Sequence, residues 1–392
     1  MRCTKRTAFQ QFFRLIRRQP FMLPALLATM AISMQTGCTA LPQPPRTIHA
    51  HVVALEQPIV YNRFGSLNPY GMIYALKQDV VNKADGQAMN DQSRPGQVRL
   101  GDGKRPRPLV LRVNPGDRLI VHFSNMLSPE QPDLSSQPWP APYTNLNETE
   151  LPGGTEEPEP PSPPIVGTAA VRGCGSESAS MVPRNPVDRR NDWPRTRCAG
   201  ITISGLTPAG DGFDPAVTGL AGIAPGQTYT YQWNIPASAE TSTHLFFSDA
   251  APAGGQGDGG SLVHGLFGAL HVEPKNSRWY RSETSPADLA LARKQRSGSA
   301  FLNYEAVRQD GRPVLNMLRQ LGPTDYELTY GNLNAIIVDN GQETPAFREF
   351  TAIFHDELKT FYRDEFTALE TEFALAGVRD GFGINYGASG MG

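Results

Sequence analysis

Charge of one sign is what this chain most plainly lacks. Its 36 Lys and Arg are set against 38 Asp and Glu, for a net charge of −2. A surface so balanced raises no field that gathers nucleic acid or an anionic membrane, so neither is expected as an electrostatic partner. Cysteine is scarce, with four in 392 residues. Cys3 and Cys38 fall in the N-terminal segment, which leaves Cys174 and Cys198 for at most one internal disulfide. The apolar run Phe21–Met34 is interrupted by proline and falls short of the ~20 residues a membrane helix needs. Nucleotide chemistry finds no cradle. The glycine-rich stretch Gly254–Gly260 is followed by no Lys-Ser/Thr and sits in no strand–helix–strand unit. Neither a Gly-x-Ser-x-Gly elbow nor a zinc-protease signature is present.

Glycine and proline are plentiful, at 38 and 35. That mixture suits many short strands joined by turns. The length allows two domains. The N-terminus has the anatomy of an export signal over residues 1–37. Arg14, Arg17 and Arg18 form a basic region, Phe21–Met34 an apolar one, and Thr36–Ala40 a small-residue segment. Cys38 directly after Gly37 resembles a bacterial lipoprotein cleavage site, although Gln35 stands where such sites carry an aliphatic residue. The Arg17-Arg18 pair also looks like part of a twin-arginine signal. The chain is therefore expected to be exported to the periplasm or cell envelope, with a lipid on Cys38 as its one route of membrane attachment. A pair of leftover cysteines in an oxidising compartment is most simply a disulfide, and Cys174–Cys198 is so assigned.

Residues 38–46 read as a proline-rich tether. Beyond it, period-2 alternation predicts strands at Ile48–Leu55, at Leu109–Val113 and Leu119–Phe123, at Cys198–Leu206 and at Ala224–Pro236. The Asn114–Asp117 turn predicts a hairpin between the second and third of these. The stretch from about 128 to 197, rich in Pro, Ser, Glu and Gly, reads as a disordered surface insertion. His244–Asp249, the Gly254–Gly260 loop and His264–Pro274 read as strand, loop and strand. Ser285 and Pro286 predict a short helix running to about Arg296 and closed by Gly298, within a connector at 281–299. A second β segment follows at Ala300–Val307, Asp325–Asp339 and Arg348–His355, and Glu357–Ala376 has a helical period. Short strands with turn signals between them argue for a mainly β sandwich.

This order of hairpin, "ISGL" strand (Ile203–Leu206), "APGQTYTY" strand (Ala224–Tyr231) and "HGLFGALHVEP" strand (His264–Pro274) resembles the first cupredoxin domain of the multicopper oxidases. The match covers about residues 47–280. Residues 300–392, with Arg348–Glu357 and Gly381–Met391, resemble the start of a second cupredoxin domain in the large bacterial members, so the expected fold is a Greek-key cupredoxin-like sandwich followed by a second, incomplete one. The resemblance implies copper, oxidation of phenols or metal ions one electron at a time, and reduction of dioxygen to water. It also implies two His-x-His pairs in the first domain, since alternate residues on a strand share a face. At the matching positions stand Thr202 and Ser204, and Phe247 and Asp249. None of these supplies an imidazole set. The blue-copper pattern of a Cys closely followed by His is missing from both Cys174 and Cys198. The expectation is an N-terminal, structural part of a multicopper-oxidase-like protein, inactive alone and binding no copper. Its partners would be later cupredoxin domains of the same or a neighbouring chain. The alternative is a non-catalytic scaffold or binding module at the cell surface.

The remaining histidines carry a weaker metal reading. His244, His264 and His271 lie along one strand–loop–strand stretch, without reliable ligand spacing. His49 and His51 share a strand face, which fits either a metal or a solvated edge. His122 is expected on an outer face, and His355-Asp356-Glu357 at a polar strand end.

Overall fold

Alternation of apolar and polar residues from Thr47 onward builds the central strand. The computed structural model describes residues 45–61, 67–68, 71–129, 197–209, 222–248, 250, 261–262, 264–296, 298–339, 346–355 and 383–387. In β1 (Thr47–Glu56), Ile48, Ala50, Val52 and Ala54 are fully buried, while His49 and His51 point to the opposite face. Besides short strands at Ile59–Val60, Leu67–Asn68, Val80–Asn82 and Val98–Leu100, the strands that follow are β2 (Met72–Leu76), β3 (Leu109–Val113), β4 (Arg118–Asn125), β5 (Thr202–Ile203), β6 (Thr228–Asn234), β7 (Ser242–Phe247), β8 (Phe267–Val272) and β9 (Ser277–Arg281). Helix α1 (Pro286–Ala292) precedes β10 (Arg293–Arg296), β11 (Ser299–Leu302), β12 (Leu318–Gln320), β13 (Asp325–Leu328), β14 (Ala335–Asp339), β15 (Phe347–Glu349), β16 (Phe354–His355) and β17 (Gly383–Ile384).

One sheet runs β6–β4–β1–β13–β12, with β2 also paired to β1. A second runs β3–β8–β7–β5, and a third β9–β14–β15. β1 lies parallel to β4 and to β13, and β8 lies parallel to β3. The first two sheets share one apolar core. Phe123, Tyr231 and Trp233 come from one side, and Leu111, Phe246 and Leu270 from the other. Burial of each such side chain contributes roughly 1.5–3 kcal/mol. The chain is thus the mainly β sandwich its alternation leads one to expect. Its mixed sheets suit a Greek-key cupredoxin-like arrangement.

The expected hairpin at 109–123 is corrected. Its turn forms: the Asp117 amide donates to the Asn114 carbonyl at 3.0 Å, and Gly116 takes φ +90°. The two strands, however, pair with different sheets, β3 with β8 and β4 with β1 and β6. The turn is a corner between layers. All of β3 is buried, which leaves no solvent face for a simple hairpin. The end of the tether is clamped to the same corner, because Arg46 Nη2 meets Asp117 Oδ2 at 2.6 Å.

Ser285 caps α1, its Oγ accepting from the Asp288 amide at 3.1 Å, with Pro286 in the first turn. The helix stops at Ala292 rather than continuing to Arg296. Arg293 is extended, and 293–296 pairs with 299–302 around Gly298 at φ +82°. Replacing Ser285 by Ala orphans the Asp288 amide, and is expected to lower stability by about 1 kcal/mol, read as a denaturant-midpoint shift at unchanged slope.

Residues from the segment 300–392, expected to open a second domain, supply strands to these layers. β12 and β13 extend the first sheet, and β14 pairs with β9. The export signal, Cys3, Cys38, Cys174, most of the expected insertion, Asp249, the loop 251–260 and the helical period at 357–376 lie outside the described residues.

Candidate functional site

Strands β5 and β7 are antiparallel neighbours, with Thr202 opposite Phe247 and Ile203 opposite Phe246. The strand pairing is extended by the Ser204 amide, which donates to the Leu245 carbonyl at 2.8 Å. Sequence resemblance assigns Thr202, Ser204 and Phe247 to positions where copper-cluster histidines would stand, and the register places two of them directly across from each other. Their chemistry does not fit that group. Phe247 has no donor atom, and the hydroxyls of Thr202 and Ser204 are hard oxygens unsuited to a soft imidazole site. Thr202 Oγ1 is buried with no hydrogen-bond partner.

The three histidines of the strand–loop–strand stretch are held apart by separate bonds. His244 Nδ1 donates to the Ser204 carbonyl at 2.8 Å, and its Nε2 lies 3.0 Å from Ser242 Oγ. His264 is fully buried, with Nδ1 3.1 Å from Asn68 Nδ2. His271 is nearly buried, and both ring nitrogens meet threonine hydroxyls at 2.9 Å, Thr243 on one side and Thr351 on the other. Burial pushes His271 down to about 4. It is therefore a neutral ring that donates to one hydroxyl and accepts from the other.

Beside His271 lies a feature that the alternation pattern hid. Arg112 is fully buried. Its Nε donates to Glu273 Oε1 at 3.1 Å, and its Nη2 to Glu349 Oε1 at 2.6 Å. Its Nη1 and Nη2 also donate to the carbonyls of Asn332 and Leu333, at 2.8 and 3.2 Å. Burial and the adjacent Glu349 push Glu273 up to about 8. Burial works to raise Glu349 as well, but the Arg112 guanidinium outweighs it and holds Glu349 below the usual carboxylate range. One guanidinium therefore faces one carboxylate and one carboxylic acid. The arrangement ties β3, the end of β8 and β15 together, and it is a structural clamp.

A second histidine group stands on the outer face of the first sheet. His51 on β1 lies opposite His122 on β4, and His49 shares their face two residues earlier. The rings are layered. His51 and His122 have centroids 4.6 Å apart, and His49 and His122 5.4 Å apart. His49 Nδ1 lies 3.1 Å from His122 Nε2. As the rings stand, no group of three His, Cys, Asp or Glu among the described residues surrounds a common point for a metal ion. His355 on β16 sets its ring edge-on against Phe267 at 4.8 Å.

Cys198 is disulfide-bonded. A cleft lined by Lys104, Arg107, Arg281 and Glu283 offers no free charge from these groups. Arg107 pairs with Glu283, Lys104 with Asp79 at 2.6 Å, and Arg281 with Asp288 at 2.8 Å.

Neither a protein-family model nor a curated protein matches the chain. Among solved structures, a copper nitrite reductase from Nitrosomonas europaea matches at 12 % identity over 59 % of this chain, with a TM-score of 0.26. The match spans 43 % of the reductase chain, and at that TM-score it carries no argument about the site.

Proposed function

We propose that this chain is a non-catalytic, cupredoxin-like unit of an exported multicopper-oxidase-like protein, supporting domains that hold copper rather than holding the cluster itself. The observation behind this reading is the β5–β7 pair, where Thr202 faces Phe247 at positions that resemblance gives to histidines. Oxidation of phenols or metal ions with reduction of dioxygen would belong to other domains, and no step of it is assigned to residues here. The partners in this reading are later cupredoxin domains of the same or a neighbouring chain. The location is the periplasm or cell envelope, with Cys38 as the lipid attachment point and Cys174 as the partner of Cys198.

A second reading, a cell-surface binding module without catalysis, is favoured by the histidine-bearing outer face of the first sheet. Both readings expect the purified chain, loaded with Cu²⁺, to show no blue absorption band and no dioxygen consumption with a phenolic substrate. A blue band or steady oxygen uptake overturns the non-catalytic assignment. The first reading alone expects the chain to co-purify with copper-bearing cupredoxin domains when expressed with them.

A further inference from the structure

We propose that His49, His51 and His122 form a surface site for a borderline divalent cation of the zinc class. The site stands on its own geometry and does not depend on the function proposed above. Of the chain's seven histidines, three meet on this one face. The strand register brings them there: alternate positions of β1 carry His49 and His51, and the parallel pairing sets His122 across from His51.

The nitrogen positions are the stronger observation. His49 Nδ1 and His122 Nε2 lie 3.1 Å apart. Two nitrogens bound to one tetrahedral zinc at about 2.0–2.1 Å are separated by about 3.3 Å. Each ring also has its other nitrogen turned toward an oxygen on a neighbouring strand. His49 Nε2 lies 4.0 Å from Asp325 Oδ1, and His51 Nε2 lies 4.0 Å from Glu327 Oε1, both on β13. His122 Nδ1 lies 3.4 Å from Thr230 Oγ1 on β6. Asp325 and Glu327 stand on the side where a metal-bound imidazole would point its outer N–H, and closing each 4.0 Å gap by about 1 Å would make the bond that fixes tautomer and orientation. The inner nitrogens of His49 and His122 already face each other. His51 completes the set by swinging its Nδ1 inward, a change of side-chain rotamer that its 45 % side-chain exposure leaves room for. Burial holds His51 and His122 below the ordinary imidazole value, with Glu327 opposing and Lys77 and His49 reinforcing it at His51, and His51 and His49 reinforcing it at His122, so these rings have lone pairs to give.

Zinc chloride titrated into the full chain at neutral pH, followed by calorimetry, tests the site. One Zn²⁺ per chain is expected to bind with a dissociation constant on the order of 1 μM. His51→Ala and His122→Ala are each expected to weaken binding at least tenfold. Glu327→Gln, which removes an outer carboxylate, is expected to weaken it by about tenfold. His244→Ala, on the other sheet, should leave it unchanged. In the wild-type chain, zinc should move the ring resonances of His49, His51 and His122 and leave those of His271 in place, a readout that needs no variant to fold. Absence of saturable binding, binding unaffected by His51→Ala and His122→Ala, or equal weakening by His244→Ala overturns the proposal.

Discussion

Arg112→Met is expected to destabilise the folded chain by about 3–5 kcal/mol, the cost of removing one partner from a buried ion network. Methionine keeps the apolar stem of the side chain but not the guanidinium head, so the loss combines the missing charge and hydrogen bonds with the space the head filled. Glu273 and Glu349 are left against each other without a guanidinium, and the carbonyls of Asn332 and Leu333 lose a donor. Only one of the two carboxyls is ionised in the wild-type chain, because Glu273 is pushed up to about 8 by burial and by Glu349. In the variant the Arg112 guanidinium no longer opposes the burial that already works to raise Glu349, and only His271 and the bond with Glu273 still hold it down. Glu349 then moves upward in the folded variant, toward the protonated state that Glu273 already holds.

The pH dependence follows from that. A buried acid with a raised folded value binds a proton that the unfolded chain releases once the pH passes the usual carboxylate range. Its contribution to stability falls as pH rises from there toward the folded value, by at most about 1.4 kcal/mol per pH unit for each proton. Wild type has one such group here, with a window closing near 8, and the variant adds the upward move of Glu349. The deficit of Arg112→Met should therefore be larger at pH 8 than at pH 5, read from denaturant midpoints at constant slope. Adding Glu273→Gln and Glu349→Gln to Arg112→Met removes the two orphaned titrating carboxyls and should recover much of the loss. A deficit under about 1 kcal/mol that is flat with pH would mean that water reaches the network freely.

Alternation made β4, β6 and the first half of β1 legible because each has one face in the core and one outside it. Their burial runs in step with the sequence, as at Ile48, Ala50 and Val52 or Leu119, Val121 and Phe123. β3 is buried on both faces, so its pattern could not say which sheet it joins, and the turn after it read as a hairpin rather than a corner. The parallel pairing of Thr47–His49 with Asp325–Glu327 joins residues nearly 280 positions apart, and no local pattern encodes such a partner. That pairing brings Asp325 and Glu327 to the histidine face. The parallel register with β4 likewise makes His122 the neighbour of His51, although each histidine could be placed on a face from its own strand. Proximity in sequence misled in the opposite sense for His244, His264 and His271, which take unrelated partners. Arg112 and Glu273 occupy positions where a charge ordinarily meets water. Asn332, Leu333 and Glu349 lie against the buried Arg112, which in turn bonds the buried Glu273.

Gly268→Val should rank with Arg112→Met among the most damaging single changes, costing about 3 kcal/mol or more, at or beyond the upper end of ordinary overpacking. Gly268 pairs with Phe246 across β7 and lies beside Leu109 of β3. A Cβ there would stand 2.3 Å from both the Leu109 carbonyl oxygen and Phe246 Cζ. Phe246 is fully buried and packs on Tyr74 at 5.4 Å, so its ring has no free space to retreat into. The Leu109 carbonyl belongs to the backbone of a strand in parallel pairing, and it moves only if β3 and β8 separate. Shrinking the ring should therefore help but not cure. Phe246→Leu combined with Gly268→Val is expected to be less damaged than the sum of the single changes, and still short of the stability of Phe246→Leu alone. Denaturant midpoints across the four proteins of this cycle give the coupling. A Gly268→Val chain within about 0.5 kcal/mol of wild type, the range of an unconstrained surface position, would mean that β8 is not held against β3 and β7 as described. Gly268 is required by packing, because Phe246 fills the space that a side chain at this position of β8 would take.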